Sequence, residues 1–271
     1  MRLTNAHTHT QFCDGHSAME EMVCSAIGKG MAVLGFSPHG REYVSAPRVL
    51  DREKEQAYFA EFARLQKKYE GQIVLKRGVE RDVYADSDCR EFEYVIGAVH
   101  YLYTARGMTP VDGAKETVER MLSEEFGGDP YLLMRAYFRL LASMAFAVRP
   151  TILAHFDLPL KQLRFHFDRD TKAYRAPALD ALHAARDAGC ILEVNTGGMA
   201  RSNQPLPYPE PWALKSWHDM GGQVILSSDC HNAPDIVTHF DEMPEYLKAA
   251  GYKSALGLSA SPDTLFEEYG L

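Results

Sequence analysis

Asn5-Ala6-His7-Thr8-His9-Thr10-Gln11-Phe12-Cys13-Asp14-Gly15-His16 puts three histidines and one aspartate within ten residues, almost at the start of a 271-residue chain. His7 and His9 alternate around a single threonine. Alternate side chains of a strand share a face, so a strand over Leu3–His9 aims both imidazoles the same way, where they can grip one metal ion. Asp14-Gly15 is a turn pair, which lets further ligands curl back over the strand end. A lone His-x-His is a weak motif; its meaning depends on what the rest of the chain repeats.

Working outward, residues of the same chemistry recur wherever a strand should end. Ala18–Lys29 sets Met22, Val23, Ala26 and Ile27 on one helical face, and Gly30 stops it. The apolar run Met31–Ser37 reads as a buried strand that runs into Ser37-Pro38-His39-Gly40. Asp51–Glu70 reads as a helix with a Tyr58, Phe59, Phe62 and Leu65 stripe, and Gln72–Val79 as a strand closing on Gly78-Val79-Glu80. Tyr94–His100 is a strand with histidine at its end. Residues 112–147 read as helical, broken at Gly127-Gly128-Asp129-Pro130, where proline suits a helix start. Thr151–Ala154 leads into His155-Phe156-Asp157. After a helix over Ala176–Ala188, capped by Gly189, the strand Cys190–Val194 carries Glu193 into Asn195-Thr196-Gly197-Gly198. A proline-rich loop at 205–211 and a helix at 211–220 precede the strand Gln223–Ser227, which ends in Ser228-Asp229-Cys230-His231. The tail is expected to form helices at 239–251 and 262–269.

Strands alternating with helices about seven times predict a parallel α/β sheet, closed or nearly closed, in one domain over residues 1–271. Parallel strands put their carboxyl ends on one rim, where α/β barrels place their chemistry. His7, His9, His39, Glu80, His100, His155, Asp229 and His231 then converge there. A core histidine or a satisfied rim carboxylate explains any one of them, but ordinary rims carry mixed residues rather than a series of one chemical type.

Composition narrows the class. A net charge of −8, from 29 basic against 37 acidic residues, disfavours a nucleic-acid surface. Five cysteines without a CxxC pair argue against a disulfide framework or a zinc ribbon. No apolar run of about 18 residues suggests a membrane span, and no secretory leader pattern precedes the histidines. The expectation is a cytoplasmic protein with no membrane or nucleic-acid partner; the oligomeric state is left open. Imidazole and carboxylate with little thiolate suit Zn, Mn or Fe. The ligands outnumber the needs of one tetrahedral ion, so two or three divalent ions are expected, bridged by a carboxylate such as Glu80. Such clusters lower the pKa of water and neutralise phosphate charge, as phosphoester hydrolysis requires.

His7-x-His9 with Cys13-Asp14-Gly15, Ser-Pro-His39, Gly-x-Glu80, Ile-Gly-x-Val-His100, His155-Phe-Asp157, Glu193-x-Asn195 and Ser-Asp229-x-His231 together resemble, in order, the signature set of the polymerase-and-histidinol-phosphatase (PHP) superfamily. Within it, Val-Ile-Gly-Ala-Val-His100, Ala-His155-Phe-Asp-Leu and Glu193-Val-Asn195-Thr-Gly-Gly, followed by Arg201 and Pro207-Tyr208-Pro209, are most similar to PHP-type histidinol-phosphatases. The resemblance implies an α/β fold, a distorted (β/α)7 barrel with its metal site at the C-terminal ends of the strands. It implies three divalent ions per chain and hydrolysis of L-histidinol phosphate in histidine biosynthesis. By motif, the first ion would take His7, His9, Glu80 and Asp229. The second would share Glu80 and add His100 and His155, and the third would take His39, His231 and Asp14, with His16 as the alternative.

Further roles follow as expectations. Asp229 or His231 is placed to move a proton during catalysis. Arg201, or else Lys161, is expected to bind the phosphate of the small-molecule substrate, a guanidinium being suited to bidentate phosphate contacts. Asp157 and Asn195 are expected to orient ligating histidines or substrate, as ligating imidazoles need a partner on the other nitrogen. Glu193 is expected to do the same or to meet a substrate amino group. His166, His183, His218 and His239 read as surface or packing residues, and Trp212 and Trp217 as helix packing. The rival readings are a PHP phosphoesterase acting on another small phosphate ester, a metal-dependent amidohydrolase, and a metal-holding regulatory domain.

Overall fold

The computed structural model describes residues 3–41, 50–85, 88–202 and 204–271. In chain order these form β1 (Thr4–Asn5), α1 (Met19–Gly28), β2 (Val33–Phe36), α2 (Arg52–Lys68), β3 (Val74–Asp82) and β4 (Tyr94–Ala98). A hairpin follows, β5 (Tyr101–Thr104) and β6 (Gly107–Pro110), then α3 (Lys115–Phe126), α4 (Pro130–Val148) and β7 (Ile152–Leu153). The chain continues as α5 (Leu160–Leu163), α6 (Lys172–Ala188), β8 (Ile191–Asn195), α7 (Gly197–Ser202), α8 (Pro211–Asp219) and β9 (Val224–Ser227). It closes with α9 (Met243–Ala250), β10 (Ser254–Leu258) and β11 (Phe266–Gly270).

The sheet order is β1-β2-β3-β4-β7-β8-β9-β10-β11. From β1 to β10 every neighbouring pair is parallel; β11 alone runs antiparallel, on β10. The sheet curls shut. Thr8 bridges Cys230 in parallel, and the His9 N–H donates to the Cys230 carbonyl at 2.9 Å. Lower down, β10 lies between β9 and β1, with the Leu258 N–H donating to Thr4 Oγ1 at 3.2 Å. This is the distorted (β/α)7 barrel, with a β10–β11 hairpin wedged into the seam. Ala6, Val33, Tyr94, Ile96, Ala98, Ile152, Ala154, Ile191, Ile225 and Leu258 form one buried cluster contributed by strands around the barrel.

Local chemistry sets the helix limits. The Asp51 side chain accepts the Lys54 N–H at 2.8 Å and starts α2. Asp129 accepts the Tyr131 N–H at 2.8 Å, and Pro130 opens α4 as expected. Helix α4 is long and apolar enough by composition to cross a membrane, yet it buries Leu133, Met134, Tyr137, Phe138, Leu141 and Met144 in the core shared with α6.

Two expectations need correction. The strand at Leu3–His9 is regular only at Thr4–Asn5. Beyond it, side chains replace ladder partners: Asn5 Oδ1 accepts the His7 N–H and Ser37 Oγ accepts the Thr8 N–H, each at 3.1 Å. The expected helix at 262–269 is instead β11, because β10 would otherwise present an unpaired edge; Leu258 pairs with Phe266 and Ser254 with Gly270. The β5–β6 hairpin, directly after His100, was not visible in the hydrophobic pattern.

Candidate metal centre

The eight strand-end residues do converge. Glu80 lies near the end of β3, and Pro38–Gly40 pair with it: the Glu80 N–H donates to Pro38 O at 3.0 Å and the Gly40 N–H to Glu80 O at 2.8 Å. His39 is thereby set beside Glu80, with Nδ1 3.0 Å from Oε2. His7 Nε2 is 3.3 Å and His9 Nε2 3.5 Å from the same oxygen. The other oxygen, Oε1, faces His155 Nε2 at 3.0 Å and His100 Nε2 at 3.2 Å. Asp229 Oδ1 completes one group, 3.2 Å from His9 Nε2 and 3.7 Å from His7 Nε2.

Asp14, not His16, reaches the centre. Its Oδ1 lies 3.3 Å from His231 Nε2 and 3.5 Å from His9 Nδ1, and its Oδ2 3.4 Å from His39 Nε2. His16 is exposed, tied by its N–H to the His231 carbonyl. Gly15 makes the return possible: a Cβ there would sit 2.4 Å from Thr10 N. His155 (φ 22°) and Asp229 (φ 49°) hold left-handed backbone conformations, as do Arg149 and His239 away from the centre.

These groups fit metal ions. His7 Nε2, His9 Nε2, Asp14 Oδ1, His39 Nδ1 and Glu80 Oε2 are buried without a hydrogen-bond partner. Orphaned polar atoms of that kind are costly unless something else satisfies them. Ligands about 2.0–2.1 Å from a tetrahedral ion stand about 3.3 Å apart, close to the separations around Glu80 and Asp14. Among the described residues, three overlapping sets bring ligand atoms within 4.8 Å of one another: His9, Asp14, His39 and His231; His7, His9 and Asp229; His39, Glu80 and His100.

The electrostatics favour the ligating forms of the carboxylates. Burial raises the Glu80 pKa, but His7, His39 and His100 outweigh it and hold it well below the ordinary value. Asp229 is likewise raised by burial and held low by Arg201 and His7. Burial and then the His231 ring push His9 down to about 3, a neutral imidazole ready to ligate.

A second layer of side chains orients the first. Glu193, fully buried, accepts from His7 Nδ1 at 2.7 Å through Oε1. Its Oε2 accepts the His155 N–H at 3.0 Å and Asn195 Nδ2 at 2.9 Å. Asn195 Nδ2 also lies 3.3 Å from Asp229 Oδ2. Of the two roles expected for each, Glu193 and Asn195 have the contacts of the first: they hold ligand side chains and neither lines the cavity. Asp82, overlooked in the sequence, does the same for His100: its Oδ2 accepts the His100 N–H at 2.8 Å and sits 3.3 Å from Nδ1. The Glu80-x-Asp82 alternation on β3 was the available signal. Among the described residues, Asp157 hydrogen-bonds no histidine side chain. Its Oδ2 accepts the Glu210 N–H at 2.8 Å, pinning the 205–210 loop, and burial with the Glu210 carboxylate pushes it up to about 7.

A Glu193→Gln variant keeps the shape but weakens the hold on His7. We expect metal affinity and kcat to fall about 10- to 100-fold, with the fold intact by circular dichroism. Metal titration of the chelated protein checks this, and wild-type affinity would refute the positioning role.

The centre opens into a cavity of about 200 Å³, lined by Asp14, His39, Glu80, His100, Asp112, His155, Leu158, Lys161, Arg201, Asp229 and His231. Arg201, on α7, donates from Nη2 to Asp229 Oδ2 at 2.9 Å and from Nη1 to the Asp229 carbonyl. Gly197 leaves it room, since a Cβ there would lie 3.0 Å from Nη1 and 2.9 Å from Asn195 Oδ1. Lys161 Nζ pairs with Asp112 Oδ2 at 3.2 Å. His166, His183, His218 and His239 all lie outside this cavity. Trp217, on α8, is fully buried, and Trp212 packs on Tyr174.

Comparison with known proteins agrees with this geometry. The family model described as PHP domain matches residues 5–197. A curated relative from Deinococcus radiodurans, "Probable histidinol-phosphatase", is 28% identical over 261 residues, covering 92% of this chain and 94% of its own. The histidinol-phosphatase of Bacillus subtilis is 23% identical over 259 residues, covering 87% and 96%. A crystal structure of the Lactococcus lactis histidinol phosphate phosphatase, complexed with zinc, L-histidinol and phosphate, superposes with a TM-score of 0.63 at 18% identity, over 94% of this chain and 95% of that one.

Proposed function

The chain belongs to the PHP domain family, and from that premise we propose that it hydrolyses L-histidinol phosphate to L-histidinol and phosphate, a step of histidine biosynthesis. The observation that carries this is Glu80, whose two carboxylate oxygens lie within 3.0–3.5 Å of five imidazoles. A single buried carboxylate shared so widely suits a bridge between divalent ions. We assign three: one held by His7, His9, Glu80 and Asp229; one by Glu80, His100 and His155; one by Asp14, His39 and His231, with zinc, manganese or iron as occupants. When bound, such ions lower the pKa of water and neutralise phosphate charge.

The protein's own groups do the rest. Arg201 and Lys161 present cationic donors to the non-bridging phosphate oxygens from the cavity wall. Asp229 or His231, both on the cavity wall, takes the proton of the attacking water and delivers one to the leaving alkoxide. Glu193, Asn195 and Asp82 keep the imidazoles aimed. The reading takes residues 1–271 as one barrel domain working in the cytoplasm.

The test is phosphate release by purified protein from L-histidinol phosphate and from a panel of other monoesters, with added zinc or manganese and a His9→Ala control. Strong preference for histidinol phosphate, lost in the control, is the expected result. Equal weak turnover across the panel would discard the substrate. No release from any ester by metal-loaded protein would turn the reading toward amide hydrolysis.

A further inference from the structure

The cavity lining includes four carboxylates, and three of them, Asp14, Glu80 and Asp229, lie in the ligand sets. The fourth, Asp112, does not. It follows the β5–β6 hairpin, at the head of the stretch 112–147 that the sequence reads as helical; the helix itself begins only at Lys115, which leaves Asp112 on the connecting turn. Two contacts fasten that segment to α5 and its neighbours: the Gln162 side chain donates to the Gly113 carbonyl at 2.8 Å, and Lys161 Nζ to Asp112 Oδ2 at 3.2 Å. Gln204 braces the other side, its amide donating to the Lys161 carbonyl at 3.1 Å and its Oε1 accepting from Arg164 Nε at 3.1 Å. The Asp112–Lys161 pair is therefore held on a tied wall, with both side chains only about a quarter exposed.

The pair has the polarity of a reader for a zwitterion. Its cation lines the same cavity as the ligand cluster, where a phosphate dianion would bind. Its anion, beside that cation, faces the same cavity. A phosphate monoester with an ammonium group on the carbon next to the ester carbon carries opposite charges a few Å apart. We propose that Asp112 is a specificity-determining residue that receives the substrate's ammonium group, while Lys161 faces its phosphate. This rests on the reading of the site as a phosphomonoesterase and deepens it. Asp112 touches no reacting atom, so it selects the substrate class, amino-alcohol phosphates, rather than performing the chemistry. A charge-assisted hydrogen bond of this kind, formed in a partly desolvated cavity, separates amine-bearing from amine-lacking esters by about 10- to 100-fold.

The test uses metal-loaded wild-type protein and the Asp112→Asn and Asp112→Ala variants. Two matched substrate pairs are compared: L-histidinol phosphate against 3-(imidazol-4-yl)propyl phosphate, and 2-aminoethyl phosphate against ethyl phosphate. The readout is the ratio of kcat/KM for the amine-bearing over the amine-lacking ester. We expect wild type to favour the amine-bearing ester in both pairs, and both variants to lose about 10- to 100-fold of that ratio, chiefly through KM. If both esters of a pair lose activity equally, Asp112 merely supports the wall and the inference fails. It also fails if wild type shows no amine preference. A wild type that prefers aminoethyl phosphate through Asp112 yet ignores histidinol phosphate would keep the inference and discard the proposed physiological substrate. Normal histidinol phosphate turnover with an unchanged ratio in the variants would do the reverse.

Discussion

Glu80→Gln should reduce kcat at least about 10³-fold, a loss larger than that of one transition-state hydrogen-bond donor, and should lower the bound metal content measured by elemental analysis. The substitution is nearly isosteric, so the β3 backbone and its pairing with Pro38–Gly40 have no reason to move. What changes is charge and lone pairs. Oε2 faces His7, His9 and His39, and Oε1 faces His100 and His155. An amide offers one acceptor in place of two and places N–H donors where an ion must sit. It also removes the negative charge that would offset bound divalent ions. Glu80 is buried, so no solvent can stand in for the lost charge. Full metal content with kcat within about tenfold of wild type, too small a change for losing a shared ligand, would refute the bridge.

Arg201→Met should lower kcat/KM about 10²- to 10³-fold, the range for removing a preorganised charge-stabilising donor, and should weaken competitive inhibition by inorganic phosphate. Two effects are combined here. The guanidinium is the cavity-lining group best shaped for a phosphate oxygen pair. It is also the partner that keeps Asp229 ionised, alongside His7. Methionine keeps the packing volume while removing both. Arg201→Lys should recover little, because one ammonium cannot hold the Asp229 carboxylate and carbonyl and still present a second donor. The phosphate inhibition constant separates the two effects: if it is unchanged while metal content falls, Arg201 serves Asp229 alone and its role toward phosphate is lost.

The sequence by itself determined the alternation of strands and helices and the chemistry of the rim, because both are local properties. Period-two histidines at His7 and His9, apolar runs ended by His39, Glu80, His100, His155 and Asp229, and the break at Gly127–Pro130 follow from side-chain direction and turn chemistry within a few residues. The sequence favours Asp14 over His16, although both lie within one turn of each other. Only the tertiary structure shows the reach of the Gly15 turn that carries Asp14 to His39 and His231. Tertiary structure alone likewise turned Glu193 and Asn195 away from the cavity, brought Asp82 under His100, and set Asp112 against Lys161 across 49 residues of chain. It made the tail a strand rather than a helix, since an unpaired sheet edge outweighs a weak local helical preference. Partners of this kind are set by which elements the barrel closure places side by side, and no spacing along the chain encodes that.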